Sequence, residues 1–166
     1  QIIAGHNRKL LNKLSPKKVK PCTCRVQACP VEGKCQQEGT IYQATVKHTN
    51  PETGQQETNT YIGLAGTKFH QRHHNHKTTL KDRSHSTKSE LSNHCWKLKD
   101  SSVGFSLSWK LIDKGQKFSP ISKSCKLCTL ERYFLICKPE FYTLNKNKEF
   151  GDKCHHKRFL RLSKAK

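Results

Sequence analysis

Cysteine spacing constrains this chain more than any other feature of its sequence. Four cysteines fall within fourteen residues in the pattern C-x-C-x4-C-x5-C, and a proline and a glycine lie between them. Such a segment cannot supply a hydrophobic element, but its four thiolates can surround one tetrahedral zinc ion. Two disulfides or four unliganded thiols are the alternatives, and we favour zinc. The four residues are Cys22, Cys24, Cys29 and Cys35.

A second group of potential metal ligands lies near the end of the chain. Cys125 and Cys128 form a C-x-x-C pair, and Cys154 precedes His155 and His156. One zinc ion bound to these three cysteines and His156 would clamp both ends of the intervening segment, with His155 as the alternative fourth ligand. Three unliganded cysteines beside surface histidines are the other interpretation. Nine cysteines in a secreted chain would suggest disulfides, but the tight Cys-x-Cys and Cys-x-x-Cys spacings beside histidines favour thiolate metal sites in a reducing, intracellular compartment.

The charge balance predicts a polyanionic partner. The formal net charge is +20, from 32 lysines and arginines against 12 acidic residues. Nucleic acid is the partner that this excess favours. A merely basic surface is the alternative, and a membrane surface is a weaker one because no basic amphipathic helix has an aromatic face. We find neither an apolar run of membrane-spanning length nor the apolar core of a signal peptide at the start.

The length predicts one domain with a small appendage. Only 33% of the residues are hydrophobic, so zinc or a bound polyanion would help to stabilise the fold. The absence of methionine leads us to interpret the chain as a fragment of a larger protein. We expect a basic linker from an upstream domain over 1–21, a cysteine-rich knuckle over 22–38, a core over 39–150 and a zinc-ligating, basic tail over 151–166. A first segment without any role is the alternative.

Alternating apolar and polar residues predict three strands, over 40–47, 60–64 and 105–111. The first two would be joined by a turn over 50–54. Gly63 and Gly66 predict a tight turn after the second strand, with Thr67 as the N-cap of a helix that runs to about residue 80. These elements predict an α/β fold, in which a small three-stranded antiparallel sheet is flanked by helices.

Two further helices are predicted from caps and periodicity. The sequence from Thr87 to Glu90 matches a capping box, which gives Glu90 a structural role. Cys95, in the helix that follows, is predicted to be a buried small hydrophobe. A last helix carries apolar residues at i, i+3, i+4 and i+7 from Leu130 and ends near Pro139. The apolar set comprises Leu130, Tyr133, Phe134 and Cys137.

One face of the first helix carries polar residues of interest. Arg72 and His76 are four residues apart, so they project from the same helical face. We interpret His73 and His74, which flank them, as solvated basic surface. Glu131 is predicted in the first turn of the last helix, where a carboxylate is also favoured by the helix dipole.

The strands and these polar residues together resemble the signature of GIY-YIG endonucleases. The sequence Thr-Ile-Tyr at 40–42 is followed by Tyr-Ile-Gly at 61–63, although the hairpin is longer than usual and Gly39 is one residue further from the tyrosine. The cysteine clusters and residues 87–96 resemble the endonuclease domain of Penelope-like retroelements, from about residue 22 to 160. The catalytic set that the resemblance implies is Tyr42, Tyr61, Arg72, His76, Glu131 and Asn145.

The resemblance implies a metal-dependent DNA endonuclease that nicks or cuts its target by phosphodiester hydrolysis. A linked reverse transcriptase would then prime from the exposed 3′ end. The implied partners are target DNA, the element's RNA and a reverse transcriptase domain in the same polypeptide, in the nucleus and with no membrane. Glu131 would bind Mg²⁺ or Mn²⁺, and two structural zinc ions would occupy the cysteine clusters.

The chemistry of these side chains leaves several roles open. Arg72 can bind a phosphate oxygen through its planar guanidinium. Tyr42 or Tyr61 could polarise or deprotonate the attacking water, but a phenol needs a nearby cation because its pKa is near 10. His76 is the alternative base or a leaving-group acid, and Asn145 would orient the site.

Two rival functions remain at this stage. A catalytically inactive, zinc-containing nucleic-acid-binding module shares the charge and the cysteines but needs neither Glu131 nor the tyrosines. A cationic, disulfide-rich secreted protein is disfavoured by the odd cysteine count.

Overall fold

A three-stranded antiparallel sheet organises the structure, a computed structural model that describes residues 22, 24, 29–119, 121–146, 154 and 156. The strands are β1 (Glu38–Thr49), β2 (Gln56–Lys68) and β3 (Phe105–Lys114), in the order β2-β1-β3. The predicted small antiparallel sheet flanked by helices is confirmed. The predicted linker over 1–21 and the tail, except for Cys154 and His156, lie outside the described residues.

Three α-helices and two short 3-10 segments accompany the sheet. The helices are α1 (Phe69–Thr79), α2 (Glu90–Asp100) and α3 (Lys126–Cys137). The 3-10 segments are Arg83–Lys88, before α2, and Pro139–Phe141, after α3. None of these described helices is both long and apolar enough to cross a bilayer.

The two faces of the sheet bury two separate cores, because successive side chains of β1 point to opposite faces. Tyr42 belongs to a core shared with α1 and α2, which includes Phe69 and Leu91. Its neighbour Ile41 belongs to a second core, shared with α3 and including Leu127. The sheet therefore lies between α1 and α2 on one face and α3 on the other.

The boundary between β2 and α1 differs from the prediction. β2 continues through both glycines to Lys68, because its last residues pair with the start of β1. Thr67 therefore lies in the strand, Lys68 occupies the N-cap position, and no side chain caps α1. The predicted glycine turn and the Thr67 cap are wrong. Main-chain pairing with β1 supplies the hydrogen bonds that a turn would have had to supply locally.

Two further details of the helices correct the sequence interpretation. Ser89, not Thr87, caps α2, since its side chain accepts a hydrogen bond from the N–H of Ser92. Glu90 instead forms an ion pair with Lys146, with 2.8 Å between Oε2 and Nζ. Cys95 is fully buried, as predicted.

Helix α3 begins earlier than predicted and buries a different stripe. Its start at Lys126 places Glu131 beyond the first turn, so the helix dipole does not account for this carboxylate. Tyr133 and Cys137, both predicted on the apolar face, are exposed. The buried residues of the helix are Leu127, Cys128, Phe134 and Leu135.

Candidate functional site

The hydroxyl of Tyr42 joins two polar side chains of α1. It accepts a hydrogen bond from Nε of Arg72 at 3.1 Å and forms a second with Nε2 of His76 at 2.7 Å. The two helix residues therefore share one face, as their spacing predicted. Tyr42 has no exposed surface and only 4% of His76 is exposed, so the bridge lies inside the protein.

Gly63 makes room for this arrangement. It lies opposite Tyr42 in the pairing of β1 with β2. A Cβ atom at this position would lie 2.4 Å from the Tyr42 hydroxyl oxygen, far inside van der Waals contact. The glycine of the Tyr-Ile-Gly sequence thus provides space for a side chain rather than a turn in the backbone.

The environment of His76 keeps its imidazole neutral. Burial lowers the pKa of His76 to about 3, and the charge of Arg72 and the neighbouring His73 act in the same direction. A neutral ring with its proton on Nδ1 accepts from the Tyr42 hydroxyl. With that tautomer the guanidinium donates to the phenol oxygen and the phenol donates to the imidazole, in one directed chain.

Arg72 links this buried pair to the rest of the predicted set. Burial alone would lower the pKa of Arg72, but Tyr42, Tyr61 and Glu131 together raise it. Glu131 belongs to α3 and is half-buried. It is close enough to Arg72 for a favourable electrostatic interaction, although the two helices contribute to cores on opposite faces of the sheet. Because β2 is an edge strand, side chains that belong to opposite faces of the sheet can approach one another around it.

Tyr61 also packs beside His76. Their ring centroids are 6.4 Å apart with planes at 75°, and 6% of Tyr61 is exposed. Tyr61 pairs with Ala44 across the ladder, which places its ring on the same face as Tyr42. Four members of the predicted set, Tyr42, Tyr61, His76 and Glu131, therefore lie around Arg72.

Asn145 contacts the site through main-chain atoms. Its Oδ1 accepts from the N–H of Ile62 at 2.8 Å, and its Nδ2 donates to the carbonyl of the same residue at 2.9 Å. The amide thereby fastens the segment after α3 to the outer edge of β2, next to Tyr61. This contact is consistent with the orienting role predicted for Asn145.

Two cavities open beside the Arg72 side chain. The larger, about 650 Å³, lies between the end of β2, α1 and the segment at Lys117 and Phe118. The smaller, about 460 Å³, lies between α1 and the start of α2 and includes His85 and Lys88. Arg72 lines both cavities, which makes it the member of the cluster best placed to meet a bound phosphate.

The four N-terminal cysteines converge as predicted. Their sulfur atoms all lie within 4.8 Å of one another, and the group could hold a metal ion. The Sγ atoms of Cys24 and Cys35 are 3.8 Å apart, which matches the edge of a tetrahedron with zinc–sulfur bonds of about 2.3 Å. Burial raises the pKa of Cys35, and hydrogen bonds with the adjacent thiols and then repulsion by the charge of Cys29 act in the same direction. A divalent cation would remove that repulsion.

The second cluster has the predicted composition of three cysteines and one histidine. Its ligand atoms also lie within 4.8 Å of one another. Nδ1 of His156 is 3.4 Å from Sγ of Cys125 and 3.3 Å from Sγ of Cys128. Cys154 completes the group at 3.6 Å from Cys128. His155, the alternative ligand, lies outside the described residues.

This second cluster adjoins the larger cavity. A Cβ atom at Gly66 would lie 2.5 Å from Nε2 of His156, so the imidazole packs directly on the glycine. The same histidine is part of the cavity wall, together with Arg72. The ligand group that could hold zinc is therefore in contact with the strand that carries the candidate site.

Sequence reasoning missed two residues around the cluster. His73, predicted as surface, is buried, and burial with nearby cationic groups lowers its pKa to about 4. Trp109 contacts His73 and His76, with ring centroids 5.4 and 5.1 Å apart. The alternation of β3 shows that Trp109 shares a face with Leu107 and Leu111, but it does not show which helix that face covers. His74 is exposed, as predicted.

The structure is an α/β domain that carries a polar cluster around Arg72 and two cysteine-rich groups of residues that could hold a metal ion. A scan against family models finds no matching family, and searches of curated proteins and of solved structures find no match.

Proposed function

We propose that this protein is a metal-dependent DNA endonuclease that hydrolyses phosphodiester bonds. The observation that carries the proposal is the setting of Arg72. Its guanidinium is held by Tyr42, interacts with Glu131 and lines both cavities, in a chain with a net charge of +20. A fixed arginine at the meeting point of two clefts is suited to bind the phosphate of a nucleic-acid strand.

The buried members of the cluster act on the substrate through Arg72. Tyr42 is fully buried, so it is a positioning residue that orients the guanidinium by accepting its Nε–H. Neutral His76 supports the same phenol from the other side. A guanidinium that is held before the substrate arrives stabilises charge developing on the phosphate without reorganisation at the moment of reaction.

Glu131, the carboxylate of the cluster, is suited to bind a single hard divalent cation. Mg²⁺ is bound through one or two carboxylates, waters and substrate phosphate oxygens rather than by an all-protein cage. Glu131 is half-buried and interacts with the arginine that would bind the phosphate, so its oxygens fit this donor set. When bound there, Mg²⁺ or Mn²⁺ would neutralise negative charge on the phosphate.

The proposed biological setting comes from the resemblance to Penelope-like retroelements. In that setting the domain nicks target DNA and exposes a 3′ end, from which a reverse transcriptase in the same polypeptide copies the element's RNA. The two cysteine groups would hold structural zinc and keep the knuckle and the segment after α3 in place.

Nicking of supercoiled plasmid with Mg²⁺ or Mn²⁺ tests the proposal. We expect Glu131→Gln to lower the rate by about 100-fold or more, as the loss of a group that stabilises transition-state charge does. Binding to plasmid should be nearly unchanged. Glu140→Gln is the matched control, because this exposed glutamate pairs with Lys138 outside the site.

Two outcomes would contradict the assignment. A Glu131→Gln protein that nicks as fast as the wild type removes Glu131 from the site. A folded but inactive Glu90→Gln protein, whose wild-type carboxylate pairs with Lys146, would show that the other glutamate is the metal ligand.

The complete burial of Tyr42 favours a second candidate function, a nucleic-acid-binding module without catalysis. In that case Arg72 anchors a phosphate and Tyr42 only supports it. Both functions predict binding that weakens steeply with salt, because neutralised phosphates release counterions. Wild-type protein with two bound zinc ions that binds DNA but never nicks it in Mg²⁺ or Mn²⁺ would establish this second function.

A further inference from the structure

The larger cavity beside Arg72 has an unusual combination of linings. Its floor contains the apolar side chains of Leu64 and Phe118, which otherwise pack against the core under α3. Its rim contains two exposed amide side chains from α1, Gln71 and Asn75. With Arg72 and Lys117 also in the wall, no described residue lining this cavity is acidic.

Each part of this lining matches one part of a nucleotide. An apolar floor with an aromatic ring suits the face of a base, on which stacking does not depend on sequence. Side-chain amides can pair with the donor and acceptor edges of a base. The two cations suit the adjoining phosphates. A volume of about 650 Å³ lies within the range of cavities that bind small molecules.

The smaller cavity on the other side of Arg72 is different in character. Its lining is polar, and it includes the hydroxyl groups of Thr78 and Ser89 and the cationic Lys88. Arg72 and Asn75 line both cavities, so the two cavities adjoin the same pair of side chains. A strand whose phosphate meets Arg72 would therefore have a base-binding cavity on one side and a polar, backbone-binding one on the other.

A base inside continuous duplex DNA cannot use the apolar cavity. Both of its faces are covered by neighbouring base pairs, and its pairing edge is occupied. Only an unpaired or extruded base exposes a face to Phe118 and an edge to Gln71. The energy of extrusion is smallest where the base is already unpaired.

We propose that the larger cavity receives one unpaired base of the substrate, next to the phosphate bound by Arg72. This inference rests on the proposed function, because it takes Arg72 as the phosphate-binding residue. The protein is then selective for DNA with an unpaired base at the cut site over continuous duplex of the same sequence.

Binding of two short duplexes tests the proposal directly. One is fully paired, and the other has the same sequence with a single unpaired 2-aminopurine in the middle. Dissociation constants are measured by fluorescence anisotropy without added Mg²⁺ or Mn²⁺, so that no strand is cut. We expect the duplex with the unpaired base to bind about tenfold more tightly, as one added base–aromatic stack allows. The 2-aminopurine emission should change on binding, since the base leaves the helix for the cavity.

Substitutions in the lining test whether the unpaired base binds in this cavity. Phe118→Ala should lower the affinity for the unpaired duplex about 5- to 10-fold, which removes most or all of the preference, and leave the paired duplex unaffected. Ile121→Ala is the matched control, because Ile121 is 96% exposed on the same loop and does not line the cavity. Gln71→Ala, an exposed substitution, provides a second test if Phe118→Ala fails to fold.

The outcomes separate this inference from the proposed function. Equal affinities for the two duplexes, or a preference that both Phe118→Ala and Gln71→Ala retain, overturn the base-binding cavity whether or not the protein cuts DNA. A preference lost in these variants, from a wild-type protein that never nicks any DNA, supports the cavity and overturns the endonuclease alone.

Discussion

Replacing Tyr42 with phenylalanine would test the centre of the site with the smallest possible change. The substitution keeps the ring packed against Phe69 and Trp109, whose centroids lie 5.4 and 5.7 Å away. It removes one oxygen, and with it the hydrogen bonds to Arg72 and His76. Two polar atoms inside the protein then lose their shared partner.

The expected loss of stability follows from those two bonds. A hydrogen bond to a charged group contributes about 1.5–3 kcal/mol, and a neutral one about 1 kcal/mol. Arg72 is only half-buried, so water can replace part of what its Nε loses. We therefore expect Tyr42→Phe to lower the free energy of unfolding by about 2 kcal/mol. Cleavage should fall about 100-fold, because the guanidinium is no longer held in advance.

Urea unfolding and plasmid nicking measure the two effects. Tyr142→Phe is the matched control, since the Tyr142 hydroxyl donates to the carbonyl of Leu135 at 2.6 Å, away from the cluster. It should cost about 1 kcal/mol of stability without affecting cleavage. If Tyr42→Phe nicks DNA within about threefold of the wild-type rate, the arginine does not depend on the phenol and the argument fails.

Three further results are expected. Cys128→Ser and Cys24→Ser should each reduce the zinc content from two ions to one by elemental analysis, but only Cys128→Ser should also reduce nicking, because its cluster adjoins the cavity. Gly66→Ala should weaken zinc retention against a chelator, because the methyl group would lie 2.5 Å from the imidazole of that cluster; Gly104→Ala, where a Cβ meets nothing within 4 Å, should not. The pKa of His76 is lower in the folded state, so its stabilising effect is complete above about pH 6.5 and is lost as the pH falls towards 3. Between pH 7 and 5 the protonation of His76 should lower the free energy of unfolding measured with urea by about 2 kcal/mol, and that of His73, whose pKa burial also lowers, should lower it further; a pH-independent stability would refute the assignment.

The features that sequence predicted well depend on local periodicity. Strand β3 alternates apolar and polar residues over most of its length, and a period of two fixes which side chains share a face. The same logic placed Arg72 and His76 on one side of α1. Neither inference required knowledge of any distant partner.

The predictions of burial, helix cap and strand length were wrong where a segment distant in the sequence determines the local structure. His73 has the sequence context of a surface residue, yet Trp109 from β3 covers it. Ser89 and Thr87 are both able to cap a helix, and the 3-10 segment that ends at Lys88 moves the cap to the serine. β2 extends because β1 begins earlier than its alternation suggests.

The candidate site was predictable as a set of residues but not as a geometry. The order of the tyrosines, arginine and histidine could be compared with a known signature. That Tyr42 is fully buried and Arg72 lines two cavities depends on how three layers pack together. Gly66 is the clearest example, because the side chain that requires a glycine there is the imidazole of His156, which is distant in the sequence.

The amide of Asn145 has a consequence for the solubility of the folded protein. An edge strand presents unpaired main-chain groups to which a strand of another molecule can add. Here the side chain of Asn145 occupies the N–H and carbonyl of Ile62, and the main chain at 143–144 occupies the carbonyl of Thr60. One side chain thus imitates a peptide unit of a fourth strand. The segment that completes the candidate site also closes this part of the β2 edge against self-association.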